Sequence, residues 1–309
     1  MSLAMKLTDR LLRRKPNVFV TEERLREALR HNPPDAPVPE SLRRSCFIGT
    51  ETVDGHEVIT LTPKAGATGT EVIYLHGGVY VRPLVSAHWR IIAALIRRSG
   101  ATVTVPLYGL APRYTADDAY RFLDSVYRTV AQRAGDHPVL LAGDSCGAGL
   151  AVGLAIRCRD EGLRRPTGLI LFSPWFDVTM TNPGIAALTK LDPMLAPAGF
   201  VAAGRDWAGD RKVTDPLVSP LHDTLKNLPP ISLYQGGHDI LRPDAEKFAA
   251  KARAAGTHVD LRVWPTALHV FVGAGWTPEA RQALHDAAHR IRSAGRDRSS
   301  TGRQTPPRP

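Results

Sequence analysis

Three residues far apart in the chain, Ser145, Asp239 and His269, are of the types that together perform nucleophilic chemistry. A serine hydroxyl is a weak nucleophile until a base removes its proton. An imidazole can take that proton, and a carboxylate can hold the imidazole in the required tautomer. Ser145 stands in Gly143-Asp144-Ser145-Cys146-Gly147, and a glycine-rich turn with an incidental serine would show the same pattern. The surroundings decide between the two readings. An apolar run at 137–142 predicts a buried strand before the turn, and the small apolar residues 148–156 predict a buried helix after it. Strand, sharp turn and helix would force Ser145 out above a sheet edge, with the helix N-terminus and its unpaired N–H groups beneath it.

Asp239 follows a predicted strand at 231–235 and the pair Gly236-Gly237, where a carboxylate is placed to orient a histidine. Asp244, Asp260 and Asp177 are rivals, and none of them directly follows a strand and a glycine pair. His269 lies in the loop after the last predicted strand, 259–263. A surface loop histidine is the bland alternative. Its place downstream of the serine turn and the acid favours the general base over the neighbouring His238. A fourth station, His76-Gly77-Gly78-Val79, ends the predicted strand 71–75. Accessible N–H groups of a glycine run, here Gly77 and Gly78 with Val79, could stabilise the oxyanion of an acyl-transfer intermediate, and the Cys146 N–H would be a further donor. Cys146 itself reads as a small side chain packed under the turn rather than as an activated thiol.

The elements needed to position these groups are present. Strands are predicted at 46–52, 57–62, 71–75, 101–105, 168–172, 231–235 and 259–263, besides the one preceding Ser145. Helices are predicted at about 86–99, 116–135, 243–255 and 278–294. Strands alternating with helices imply an α/β fold, a mostly parallel sheet covered on both faces. Residues 1–32 read as two helices, the second opened by Thr21-Glu22-Glu23-Arg24, and 177–216 reads as an apolar helical insertion of the kind that forms lids. The leucines Leu3, Leu7, Leu11, Leu25 and Leu29 are expected to pack against that insertion around Leu191, Met194, Phe200 and Trp207.

Composition excludes several classes. The 309 residues are 43% hydrophobic, enough for one large domain with an insertion. Three cysteines (Cys46, Cys146, Cys158) without a CxxC spacing argue against a disulfide scaffold and against zinc. The net charge of +10 is concentrated at the ends: residues 1–15 and 292–309 each carry four net positive charges, which leaves only two between them. No basic, aromatic-interleaved stripe crosses the middle, so nucleic acid is not an expected partner. No signal-peptide core or membrane span is apparent, and the cytoplasm is the default expectation.

Taken together, His76-Gly77-Gly78, Tyr108-Gly109-Leu110-Ala111-Pro112, Gly143–Gly147, Ser173-Pro174-Trp175, Asp215–Leu221 and His269-Val270-Phe271 resemble, in the right order over about residues 70–290, the hormone-sensitive-lipase-like bacterial esterases of the α/β-hydrolases. The resemblance implies the α/β-hydrolase fold and ester hydrolysis through an acyl-enzyme, with Ser145, Asp239 and His269 as triad. It implies Gly78 and Val79 as oxyanion donors, His76 as support of their loop, and neither cofactor nor metal. It also implies a helical cap from residues 1–45 and 177–216 over a core of 46–176 and 217–294; by its composition, 295–309 reads as a disordered basic tail. The chain departs from the family pattern at Val79 (usually a third glycine, and a β-branched residue resists positive φ), at Cys146 (usually alanine), and at Gly109 and Arg113 (usually arginine and glutamate).

The expected function is thus a serine carboxylesterase for small to medium acyl esters. An amidase or acyltransferase with the same triad and a non-catalytic ligand-binding relative are the alternatives. A homodimer and a weak membrane-surface contact through the basic N-terminus stay open as partners.

Overall fold

The computed structural model describes residues 1–296; the tail expected to be disordered lies outside them apart from its first two residues. Three helices come first, α1 (Leu3–Arg13), α2 (Glu22–Leu29) and α3 (Glu40–Ser45). The antiparallel pair β1 (Cys46–Val53) and β2 (His56–Pro63) follows. Then β3 (Glu71–Leu75), α4 (Ser86–Ser99), β4 (Thr102–Pro106), α5 (Ala116–Ala134), β5 (Val139–Asp144), α6 (Cys146–Asp160) and β6 (Gly168–Phe172) alternate. After α7 (Ile185–Leu188) and α8 (Pro197–Ala208) come β7 (Ile231–Gly236), α9 (Arg242–Ala254), β8 (Val259–Trp264) and α10 (Pro278–Arg296). The predicted elements are all found, most ends moved by a residue or two; the helix after Ser145 runs four residues past its predicted apolar run, and α3 has no predicted counterpart.

The eight strands form one sheet in the order β1-β2-β4-β3-β5-β6-β7-β8, antiparallel at β1, β2 and β4 and parallel from β4 onward. Because side chains alternate along a strand, each central strand feeds two cores. Ile73, Leu75, Leu141, Leu171 and Leu233 face α5, α6 and α9, whereas Val72, Tyr74, Leu140, Ile170 and Phe172 face α4 and α10. Strands buried on both faces must be apolar throughout, as β3 and β5 are. Helix α6 is small and apolar on every side because it lies in the interior, and all but three of its residues are buried. Each large aliphatic side chain so buried contributes about 1.5–3 kcal/mol.

The helical segments outside this alternation pack on one another. Leu25 of α2 is fully buried beside α8; Phe19 meets Phe200 edge-on at 5.3 Å, and Arg26 pairs with Asp206. The expectation for α1 is overturned. Leu3, Leu7 and Leu11 point outward, and Leu191 is exposed too. The face of α1 that docks is the one carrying Met5, which is fully buried.

Candidate active site

β5 and α6 meet at Ser145, which has φ 51° and ψ −123°. That conformation is costly for a residue with a Cβ, on the order of 1–3 kcal/mol. It is held by two backbone bonds, from the Ser145 N–H to the Phe172 carbonyl (2.9 Å) and from the Trp175 N–H to the Ser145 carbonyl (2.9 Å). The turn also needs Gly147, where a Cβ would come within 2.1 Å of the Leu75 carbonyl oxygen.

The three sequence-predicted residues are brought together. Ser145 Oγ lies 3.0 Å from His269 Nε2, and His269 Nδ1–H donates to Asp239 Oδ2 at 2.8 Å. Asp239 is fully buried, with Oδ1 accepting from the Leu241 N–H (2.9 Å). Its rivals are engaged elsewhere: Asp244 with Asn182, Asp177 with His222, Asp260 with Arg290. His238 stays beside the acid, its N–H on the Ala267 carbonyl. Burial pushes the His269 imidazole down, but the charge and hydrogen bond of Asp239, with Asp192 and Asp144 behind them, outweigh it and hold His269 above its ordinary 6.5.

Three further residues support this arrangement: Ser173, named above only as part of a family motif, and Gln235 and Asp192, which sequence reasoning did not single out. Gln235 Nε2 donates to Asp239 Oδ2 (2.8 Å), which restrains the acid from the strand before it. Ser173 Oγ accepts the Val270 N–H (3.0 Å) and so pins the backbone beside His269. Asp192, buried in the inserted segment, accepts N–H groups from Met194 and Leu195 on one oxygen and from Ile240 on the other (2.8, 3.0 and 3.1 Å). Burial first, then the charge of Asp239, pushes the Asp192 carboxyl up. Gln235 has a readable signal, since it sits four residues before the acid on its own strand; Asp192 has none.

Behind Ser145 lies the loop 76–80. Gly78 has φ 128°, Val79 φ 57° and Tyr80 φ 62°. Val79 thus occupies the left-handed region that its β-branched side chain resists. Among the non-glycine residues with positive φ, Val79, Tyr80, Ser145, Ser173 and Val270 all cluster at this site, which is where stored strain is usually found. Gly77, expected among the oxyanion donors, spends its N–H on Asp144 Oδ1 at 3.2 Å; Gly78, Val79 and Cys146 are the other expected donors, and the Val79 N–H also interacts with the Cys146 thiol. His76 Nδ1–H donates to the Gly77 carbonyl (2.7 Å) and its ring stacks on Tyr108 at 4.5 Å. Burial, then the neighbouring His88, lowers His76 to about 4, so it is neutral. Cys146 Sγ accepts the Tyr80 N–H (3.1 Å), and burial pushes its thiol up to about 12, so the helix dipole does not activate it. Trp207 of α8 stacks on Tyr80 at 4.0 Å, which joins the inserted segment to this loop.

A cavity of about 370 Å³ opens over Ser145 and His269, walled by Met5 and Leu12 of α1 together with Phe19, Met194, Leu195 and Phe271. A serine–histidine–aspartate constellation at the carboxyl ends of a mostly parallel sheet, with a glycine loop facing the nucleophile, defines a serine hydrolase site. Comparison with known proteins agrees. A family model described as the alpha/beta hydrolase fold matches residues 72–273. An esterase of Acinetobacter venetianus is 33% identical over 229 residues, 73% of this chain and 76% of that protein. An acetyl-hydrolase of Streptomyces hygroscopicus is 30% identical over 78% of this chain and 81% of its own. The crystal structure of an esterase from the bacterial hormone-sensitive lipase family superposes with a TM-score of 0.79 at 25% identity, covering 95% of this chain and 99% of that one. The chain belongs to the α/β-hydrolases, in their bacterial hormone-sensitive-lipase-like branch.

Proposed function

We propose that the protein is a serine carboxylesterase acting on small to medium acyl esters. The observation that carries this reading is the unbroken line from Ser145 Oγ through His269 to Asp239 at 3.0 and 2.8 Å, opening into a pocket walled by apolar side chains. The names of the relatives, esterase and acetyl-hydrolase, support it.

His269 Nε2 takes the Ser145 proton as Oγ attacks the acyl carbon. The negative charge that develops on the former carbonyl oxygen is met by the N–H groups of Gly78, Val79 and Cys146. The imidazolium is stabilised by Asp239 and returns its proton to the departing alcohol as the C–O bond breaks. Water, deprotonated by His269, then attacks the acyl-serine, and the free acid leaves with Ser145 reprotonated. Residues 1–45 and 177–216 act in this scheme as a cap: Met5, Leu12, Met194 and Leu195 wall the acyl pocket and keep water from it. Ser145→Ala should remain folded but lose both hydrolysis of p-nitrophenyl esters and covalent labelling by a fluorophosphonate. Labelling that survives the substitution would refute the assignment of the nucleophile.

A further inference from the structure

Helix α1 is fastened by one side and finished by the other. On the docked side Met5 is buried, and Thr8 and Leu12 line the pocket wall. Polar ties secure the helix along its length. The Ser2 N–H and hydroxyl both reach Glu279 (2.8 Å each), Trp276 Nε1 donates to Thr8 Oγ1 (3.1 Å), and Arg13 donates to the Leu191 carbonyl (2.8 Å). Yet Leu3, Leu7 and Leu11 remain 84%, 58% and 50% exposed on the opposite side. At four-residue spacing they form a strip about 80° wide, and Lys6, Arg10 and Arg14 rise from the same outward half. Asp9, the sole carboxylate in residues 1–15, is bound to Arg13 at 3.0 Å. The apolar surface continues at Leu191, Trp276 and Val85, all exposed. Val85 and Trp276 border the pocket of Ser145, and Leu191 lies beside Arg13.

We propose that this outward face of α1, with Trp276 and Leu191, docks on an anionic phospholipid surface. A helix with leucines along one strip and cations beside it lies in the plane of such an interface, its leucines among the acyl chains and its cations at the phosphates. Tryptophan favours the same depth. A second copy of the chain is the poorer occupant: pairing two such strips sets Lys6, Arg10 and Arg14 against their own copies, with no free carboxylate between them. On the ester-hydrolase reading, docking turns the pocket toward esters dissolved in the membrane; the docking itself does not rest on that reading.

The test is flotation of the full chain with phosphatidylglycerol–phosphatidylcholine vesicles and with pure phosphatidylcholine vesicles. The protein should float with the anionic vesicles, less as sodium chloride is raised, and only weakly with the neutral ones. Leu7→Gln/Leu11→Gln and Lys6→Glu/Arg10→Glu should each lower the bound fraction about fivefold or more, with unchanged circular-dichroism melting and unchanged hydrolysis of a dissolved short-chain ester. Ser145→Ala should float like the native chain, which separates docking from catalysis. Absence of native flotation on anionic vesicles, or binding indifferent to both double substitutions, overturns the proposal. So does a concentration-dependent dimer that the leucine substitutions dissolve, since that would give the face to a second copy.

Discussion

Two buried aspartate–histidine pairs stand on either side of Ser145. In one, His269 Nδ1 lies 2.8 Å from Asp239; in the other, His88 Nε2 lies 3.4 Å from Asp144, the residue immediately before the serine. Residue type and burial do not tell them apart. The difference lies in the far nitrogen of each ring. His269 turns Nε2 to the Ser145 hydroxyl, whereas His88 Nδ1 accepts the Val85 N–H (2.9 Å) at the start of α4. Both carboxylates accept from two further groups, Asp239 from Gln235 and the Leu241 N–H, and Asp144 from the Tyr74 hydroxyl (2.6 Å) and the Gly77 N–H. One pair keeps a nitrogen free for proton transfer; the other spends every group on fastening β3, the glycine loop and α4 around the turn. An aspartate–histidine pair becomes a base only where its outer nitrogen is left facing a proton to be moved.

That contrast should break cleanly under substitution. The largest effect belongs to His269→Ala, expected to lower kcat on the order of 10⁶-fold, as loss of the base does in other triads. His88→Ala should instead lower the melting temperature while leaving the position of the pH–rate profile in place. A His88→Ala enzyme as inactive as His269→Ala at matched folding would erase the distinction.

Asp239→Asn should cost about 10³–10⁴-fold in kcat, and the residual activity carries a second signature. Activity requires neutral His269, so kcat/KM must fall as pH drops through its pKa. In the native protein the inflection should lie above 6.5, because the charge and hydrogen bond of Asp239 outweigh the effect of burial. Removing the Asp239 charge should move the inflection to lower pH. Asp192→Asn should move it the same way by less and with a smaller loss of rate, since Asp192 raises His269 less than Asp239 does. A native inflection below 6.5 contradicts the described electrostatics.

The Asp144 pair should show itself in acid instead. Burial pushes the Asp144 carboxyl up, but His88 and Tyr74 more than offset that and hold it below 3.8. Its stabilising contribution is therefore present above 3.8 and lost as pH falls through the lowered folded value. Asp144→Asn should accordingly flatten the acid limb of stability against pH, measured by urea unfolding, and lower the kinetic inflection by less than Asp192→Asn does, since Asp144 raises His269 less than Asp192. The smallest effect is expected at Val79→Gly. Relief of a left-handed valine and loss of a buried side chain are both about 1–3 kcal/mol and opposite in sign, so the unfolding free energy should change by no more than about 1 kcal/mol.

The sequence by itself determined the alternation of strands and helices, the turn that lifts Ser145, and the strand ends where Asp239 and His269 lie. Those features are written in local periodicity and in the backbone freedom a sharp turn demands, both of which can be read within a window of a dozen residues. Tertiary structure decided the partners. That Gly77 gives its N–H to Asp144, that Gln235 joins His269 on Asp239, and that Asp192 reaches Ile240 across 48 residues all follow from which loops converge at the ends of parallel strands. No local pattern encodes that convergence. The outward turn of Leu3, Leu7 and Leu11 is the clearest case. A four-residue leucine spacing marks one face of a helix, but whether that face meets protein or solvent depends on which other side, here the one carrying Met5, found the better-fitting surface.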